Sequence, residues 1–290
     1  MSVLRQRMIE DLRIRNYSPR TIEVYVDRVA KFAQHFGQSP HRLGPNEIRA
    51  FQLHLVDTKH SSWAEFNQTV CALRFVYGVC LGKKWTIEHI PFPKQPKPLP
   101  VVLSRGEVSG LFEATPNLKH RTMLMTLYAT GARLSEALAL QPRDIDSRRM
   151  LIHIRSGKGA RDRYVPLSET LLAELRRYWS EYRPPLWLFP GADPDHALTN
   201  GSLQQICRQA ADRAGLAKRV TPHTLRHTYA THHLEAGTDL RTIQILLGHR
   251  DLSTTSVYLH VAAQAIGQCR QTLDLLAPPT EPEPRPAGAA

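Results

Sequence analysis

The sequence predicts a mainly α-helical protein of two domains, in which the second domain also contains a small antiparallel β-sheet. Three observations predict this architecture. Apolar residues recur at helical spacing along the chain, a proline-rich stretch interrupts them near residue 90, and a short strand-turn-strand pattern follows in the second part. A chain of 290 residues is long enough for two domains that each bury a core.

The first domain, residues 1–88, is predicted to contain four helices. The first helix follows the apolar spacing from residue 2 to residue 15. Ser18-Pro19 supplies an N-cap and a proline at the first helical position of the second helix, which is expected to end at Gly37. Helices over 45–56 and 62–81 complete the domain, and four helices with short connections form a small all-α fold.

Two proline-rich segments are not expected to form regular structure. Residues 89–101 are predicted to be an extended, semi-rigid linker, because alternating prolines block both helices and strand ladders. The lysines of this linker make it positively charged. The tail at 278–290 is rich in Pro, Glu and Ala, and its composition predicts disorder.

The second domain, residues 102–277, is predicted to combine helices with one β-hairpin. Ser104 with Glu107 forms a capping-box signature for its first helix. Strands over 150–154 and 162–167 flank a Gly157-Lys158-Gly159 turn, which places a lysine at the tip of the hairpin. Further helices are predicted at 119–129, 135–140, 169–182, 200–214, 222–236, 239–247 and 253–262.

Composition favours a polyanionic partner and a reducing compartment. The net charge is +12 and the pI is near 9.8, which suits nucleic acid or an anionic membrane. The membrane is disfavoured, since no run of about 18 apolar residues is present and the N-terminus is polar. The four scattered cysteines argue against a disulfide framework and a zinc site, so a cytoplasmic location is expected.

Four short motifs carry residues suited to phosphate chemistry. His223 and Arg226 share one face at the start of a predicted helix, where free N–H groups also favour an anion. Arg133 follows Gly131, a residue that permits a tight break between helices. His249 follows a helix-ending glycine, and Tyr258 comes nine residues later. Each motif alone is more typical of surface, capping or core residues.

Together the motifs resemble those of the tyrosine recombinase (phage integrase) family. The shared pattern is T-G-x-R-x-S-E, then G-K-G on a hairpin, then H-x-L-R-H, then L-G-H, then the tyrosine. The resemblance covers residues 5–265, and 246–261 is most similar to Xer-type recombinases and their transposon and integron relatives. It implies that the first domain is a SAM-like, core-binding DNA-binding domain and the second the catalytic domain. No role is implied for the tail.

The resemblance also implies a role for each matched residue. Tyr258 would attack a DNA phosphate to give a 3′-phosphotyrosine, while Arg133 and Arg226 would each fork two N–H donors onto its oxygens. Neither metal nor nucleotide cofactor is expected, because two arginines can stabilise the charge and the covalent link conserves the bond energy. The remaining predicted roles are leaving-group protonation by Lys158, assistance to proton transfer by His223, a hydrogen bond to phosphate from His249, and orientation of neighbours by Glu136 and His227.

Double-stranded DNA is therefore the expected partner, and a nucleoid-associated location follows. The family implies a tetramer on two DNA sites and a monomer in solution, with possible accessory DNA-bending proteins. Integration or excision of a mobile element is the favoured role. The alternatives are a type IB topoisomerase-like enzyme, a catalytically silent DNA-binding protein, and a metal-dependent nuclease. No motif specifies the target DNA sequence.

Overall fold

The computed structural model of the chain describes residues 2–85, 90–92, 99–155, 162–249 and 251–260. The chain divides into two compact units, Met1–Lys97 and Pro98–Ala290. Three predictions fall wholly or largely outside the described residues: the central part of the linker, the hairpin tip with Lys158, and the tail at 278–290. These stay predictions.

The first unit is all-α, and its helices begin and end where the sequence supplies caps. The Ser18 side chain accepts a hydrogen bond from the backbone N–H of Thr21 at 3.1 Å, and Gly37 ends the same helix with a left-handed φ of 62°. The third and fourth helices each continue into one π-helical turn, at His54–Thr58 and Val76–Cys80. The four helices are α1 Val3–Ile14, α2 Pro19–Phe36, α3 Pro45–Leu53 and α4 Trp63–Phe75.

Aromatic side chains fill the core of the first unit. The Phe32 ring lies edge-on to Phe51 and Tyr77, with ring centroids 5.3 and 6.3 Å apart. The Tyr77 hydroxyl donates to the backbone carbonyl of Pro40 at 2.8 Å, so the one polar atom of this buried ring has a partner.

The second unit places helices around a three-stranded antiparallel sheet. The strand order is β1-β2-β3, and Ile152 of β2 pairs with Val165 of β3. Ile152, Ile154 and Val165 are fully buried in the core of the unit. The elements are α5 Arg105–Glu113, α6 Leu118–Thr130, α7 Leu134–Leu138, β1 Ile145–Asp146, β2 Leu151–Ile154, β3 Arg163–Pro166, α8 Glu169–Tyr182, α9 Asn200–Arg213, α10 Pro222–Glu235, α11 Leu240–Leu247 and α12 Ser253–Ser256.

Two elements of the second unit differ from the sequence prediction. Strand β1 was not predicted, because a two-residue strand is too short to show alternation. The predicted helix over 253–262 is instead α12 followed by a 3₁₀ turn, Val257–His260, and residues 261–262 lie outside the described range. The Ser-Thr-Thr-Ser sequence of α12 explains the short helix, since both residue types favour turns and caps over helix interiors.

No helix within the described ranges has the length and apolarity needed to cross a lipid bilayer.

Candidate active site

The candidate site forms where two helices of the second unit end. Helix α6 ends at Gly131 and α11 ends at Gly248, and both glycines have left-handed backbones, with φ values of 57° and 64°. The last carbonyls of a helix lack partners within the helix and carry partial negative charge. Such carbonyls attract cationic donors, and three arginines occupy these positions.

Arg226 and Arg133 bind carbonyls at these helix ends. The Arg226 side chain is buried, and its Nη1 donates to the Gly131 carbonyl at 2.5 Å while its Nη2 donates to the Leu247 carbonyl at 2.7 Å. Arg133 is the N-cap residue of α7, and its Nη2 donates to the Gly248 carbonyl at 3.2 Å. The two guanidinium groups therefore bind consecutive carbonyls, although 93 residues separate them in sequence.

Glu136 is the carboxylate of this site, and it binds two arginines. Its Oε1 accepts from Arg133 Nη1 at 2.8 Å, and its Oε2 accepts from Arg163 Nη2 at 2.8 Å. Burial would raise the pKa of Glu136, but hydrogen bonds from Arg163 and Arg133 outweigh it and lower the pKa to about 2. Glu136 is thus ionised at neutral pH, and one negative charge faces three guanidinium groups.

Tyr258 is buried in the site, with a relative exposure of 1%. Its ring belongs to a small apolar cluster with Tyr229, Ile243 and Leu247. Its hydroxyl lies 3.1 Å from Nδ1 of His227. Burial raises the pKa of Tyr258, while the charge of Arg226 and that of Arg133 act in the opposite direction.

Three histidines surround the arginines and remain neutral at pH 7. Burial, the positive charge of Arg226 and further neighbouring charges lower the pKa of His249 to about 4, and burial followed by His223 and Arg226 lowers that of His227 to about 4. Partial burial also lowers the pKa of His223, the more exposed of the three. His249 Nδ1 lies 2.8 Å from the Thr255 hydroxyl, which ties α12 to the site.

The structure brings seven of the eight predicted site residues into one cluster linked by hydrogen bonds and charge. Lys158, the eighth, lies outside the described residues. Of the two histidines in H-x-L-R-H, His227 is the one that lies beside the Tyr258 hydroxyl. The seven residues are Arg133, Glu136, His223, Arg226, His227, His249 and Tyr258.

Sequence reasoning missed Arg163, which lies on β3 and is 7% exposed. A signal for it exists: strand alternation places Arg163 and Val165 on the same face, and an arginine on a core-facing position requires a buried partner. Within the described part of the chain, no group of three or more histidine, cysteine, aspartate or glutamate side chains is arranged to hold a metal ion.

Comparisons with known proteins identify both units. Residues 102–265 match the model of the phage integrase family, and residues 4–87 match that of the phage integrase N-terminal SAM-like domain. A protein named "Putative integrase/recombinase y4qK" from Sinorhizobium fredii is 46% identical over 288 residues, which cover 99% of this chain and 93% of the relative. Tyrosine recombinase XerA from Pyrococcus furiosus is 33% identical over 94% of this chain and 96% of its own.

The fold has close counterparts among solved structures. The crystal structure of XerH site-specific recombinase bound to a palindromic difH substrate superimposes with a TM-score of 0.72 at 24% identity, over 87% of this chain and 79% of that one.

Proposed function

Because the chain belongs to the phage integrase family and is a tyrosine site-specific recombinase, we propose that it breaks and rejoins DNA through a covalent 3′-phosphotyrosyl intermediate on Tyr258. The observation that carries this proposal is the placement of Arg133 and Arg226 on consecutive carbonyls, beside the tyrosine. Three guanidinium groups against one carboxylate leave the site positively charged. A phosphodiester is the anion that such a site suits.

The reaction needs charge stabilisation, a nucleophile and a leaving-group acid. Arg133 and Arg226 each present two N–H donors to the non-bridging oxygens, and their contribution grows as negative charge builds in the transition state. The Tyr258 oxygen forms a bond to phosphorus, the bond from phosphorus to the 5′ oxygen breaks, and the phenolic proton passes to water with the assistance of His223. Lys158 delivers a proton to the 5′ oxygen, a role that rests on the family resemblance alone. The reverse attack by a 5′-hydroxyl reseals the strand without ATP.

Each of the three histidines is assigned one of the remaining roles. A His227 imidazole with a pKa near 4 is a weak base for a phenol whose pKa is raised, so we assign it to orienting Tyr258. His223 is more exposed and is assigned to assist proton transfer once DNA is bound. His249, fixed by Thr255, is assigned a hydrogen bond to a non-bridging oxygen.

The proposed partner is double-stranded DNA. The charge of +12 and the DNA-bound XerH structure support it. We further propose a monomer that assembles as a homotetramer on two sites, acts on the cytoplasmic nucleoid, and integrates or excises a mobile element, with accessory bending proteins where a site requires them. The names of the integrase and recombinase relatives support this role.

A trapping experiment with a nicked duplex tests the covalent step. Candidate duplexes are taken from the DNA that flanks the gene, with any short inverted repeats found there as the first choice. A nick beside the cleaved phosphate releases a short strand, and the loss of that strand prevents resealing. Wild-type protein should give an adduct on a denaturing gel, and Tyr258→Phe should give none while still binding the duplex. Tyr182→Phe is the matched control, since this tyrosine lies on the partly exposed face of α8. An adduct that persists in Tyr258→Phe would contradict the proposal.

Two further assays separate the alternatives. A chelator should leave adduct formation unchanged, whereas a metal-dependent nuclease would lose cleavage. Relaxation of a plasmid without the repeats by monomeric protein would favour a type IB topoisomerase-like enzyme. A silent DNA-binding protein would bind the repeats and give no adduct.

A further inference from the structure

Arg163 is a buried cation for which the proposed reaction has no use. Its Nε donates to the Leu246 carbonyl at 2.6 Å, and its Nη2 and Nη1 donate to the two carboxylate oxygens of Glu136 at 2.8 and 3.2 Å. Only 7% of the residue is exposed, so water does little to solvate its charge. A buried charge is retained only where its partners are fixed, and every partner of Arg163 belongs to the candidate site.

The Glu136 carboxylate is shared between two arginines that lie in different surroundings. Arg163 is almost fully buried, whereas the Arg133 side chain is 36% exposed. The carboxylate oxygen that accepts from Arg133 Nη1 also accepts from Arg163 Nη1. The backbone N–H of Arg133 also donates to Glu136 Oε2, at 2.8 Å. Because Arg163 satisfies much of the remaining carboxylate, the Arg133 guanidinium uses one N–H group on Glu136 and another on the Gly248 carbonyl, and its other N–H groups remain available as donors.

We propose that Arg163 is a positioning residue, which shares the Glu136 carboxylate so that Arg133 remains available to the DNA phosphate. The inference rests on the proposed function. Without Arg163, the buried carboxylate would have Arg133 as its single cationic partner among the residues that the structure describes. The Glu136 carboxylate and the Arg133 guanidinium would then form a bidentate ion pair. The N–H donors that Arg133 uses in this pair would no longer be available to the substrate. The Leu246 carbonyl, next to those that hold Arg226 and Arg133, would also lose its arginine donor.

The first test is a separation of cleavage from binding. Arg163→Met should lower the single-turnover rate of adduct formation by about 10²-fold, since misplacing a catalytic group by about 1 Å costs that much. DNA affinity should change by less than about threefold, because Arg163 itself is too buried to touch the duplex and phosphate contacts elsewhere supply most of the affinity. An unchanged cleavage rate in the folded variant would overturn the proposal.

Arg121→Met is the matched control. Arg121 Nε binds the carboxylate of Glu174 at 2.7 Å, so its loss also leaves a partly buried glutamate unpaired. The residue lies ten positions before Gly131 on α6, about 15 Å away at about 1.5 Å per residue. Cleavage by this variant should stay within about threefold of wild type, since no interaction made in the transition state is removed.

The decisive test is a double-mutant cycle with Glu136→Gln. In that background position 136 carries no charge that could trap Arg133, so adding Arg163→Met should cost less than about threefold. A role for Arg163 that does not act through Glu136 predicts the same loss in both backgrounds, and that result would overturn the proposal. If Arg163→Met does not fold, Arg163→Lys replaces it in the cycle, with an expected loss of about tenfold that disappears in the Glu136→Gln background.

The two proposals fail in different ways. If wild-type protein forms no adduct that depends on Tyr258, the proposed covalent mechanism fails before Arg163 is tested. If the Tyr258-dependent adduct forms and the cycle is additive, the recombinase mechanism stands and the role of Arg163 is refuted.

Discussion

Replacing Gly131 by alanine perturbs the end of α6, where the Gly131 carbonyl accepts from Arg226 and the backbone packs against Tyr229 and Leu247. A side chain at this left-handed position, with φ of 57°, costs about 1–2 kcal/mol in backbone strain. A Cβ there would lie 2.6 Å from Tyr229 Cδ1 and 2.9 Å from Leu247 Cδ2, both closer than real side chains approach. Overpacking of this kind adds about 1–3 kcal/mol. The expected loss in unfolding free energy is therefore about 2–5 kcal/mol.

Gly215→Ala is the control that isolates the packing contribution. Gly215 lies in the same unit with φ of 64°, and a Cβ built on it meets no atom within 4 Å. The unfolding free energy of Gly215→Ala should fall by the backbone strain alone, about 1–2 kcal/mol. Urea unfolding of the full chain measures both variants through the midpoint at constant m-value, and amide hydrogen exchange in α6 localises the effect. Equal losses for the two substitutions would refute the packing argument.

Gly131→Ala should also impair cleavage at temperatures where the variant remains folded. The Gly131 carbonyl accepts from Arg226 Nη1, so a backbone that shifts to relieve the contact with Tyr229 carries the guanidinium with it. A displacement of about 1 Å corresponds to a loss of about 10²-fold in rate. Gly215→Ala should cleave at the wild-type rate, because the glycine contacts none of the site residues.

Two further predictions concern pH and salt. The pKa values of His227 and His249 are near 4 in the folded protein and 6.5 ordinarily, so between these values the unfolded chain binds protons that the native state does not. The unfolding free energy should therefore fall as pH is lowered from 6.5 to about 4, and His227→Gln with His249→Gln should flatten this dependence in thermal unfolding; an equally steep profile would contradict the assigned neutral histidines. The affinity for duplex DNA, measured by fluorescence anisotropy, should fall by about 10³-fold between about 50 and 200 mM salt if about six phosphates are contacted. A salt-independent affinity would exclude phosphate contacts as its main source.

Local sequence rules predicted those parts of the fold that depend on neighbouring residues. Helix α2 begins at Ser18-Pro19 and ends at Gly37, because capping and the left-handed turn are set by residues within one helical turn. Strand β1 depends on pairing with β2, and two residues carry no pattern of their own. The order of the site motifs was likewise readable, since each motif is a short run of sequence.

Contacts between distant residues could not be predicted in this way. Arg163 lies 27 residues after Glu136 and 83 before Leu246, and no local rule pairs them. The alternation of β3 indicates that the side chain faces inward, but the identity of its partner depends on how α7 and the end of α11 meet the sheet. His227 beside Tyr258 is a second case, because both histidines of H-x-L-R-H occupy the start of one helix and only the packing of the 3₁₀ turn selects between them.

The burial of Tyr258 has a mechanistic consequence that sequence order alone does not contain. A phosphodiester in a duplex cannot reach a tyrosine that is 1% exposed, so the proposed attack by Tyr258 requires the segment 251–260 to move. Hydrogen bonds with histidines at Tyr258 and Thr255 help to hold this segment, and each contributes about 0.5–1.5 kcal/mol. Packing of the Tyr258 ring in its apolar cluster contributes about 1.5–3 kcal/mol more. The short helix α12 consists of residues with weak helical preference, which adds little resistance. Specific DNA binding exceeds non-specific binding by about 4–10 kcal/mol, so the free energy of site recognition is large enough to release the nucleophile.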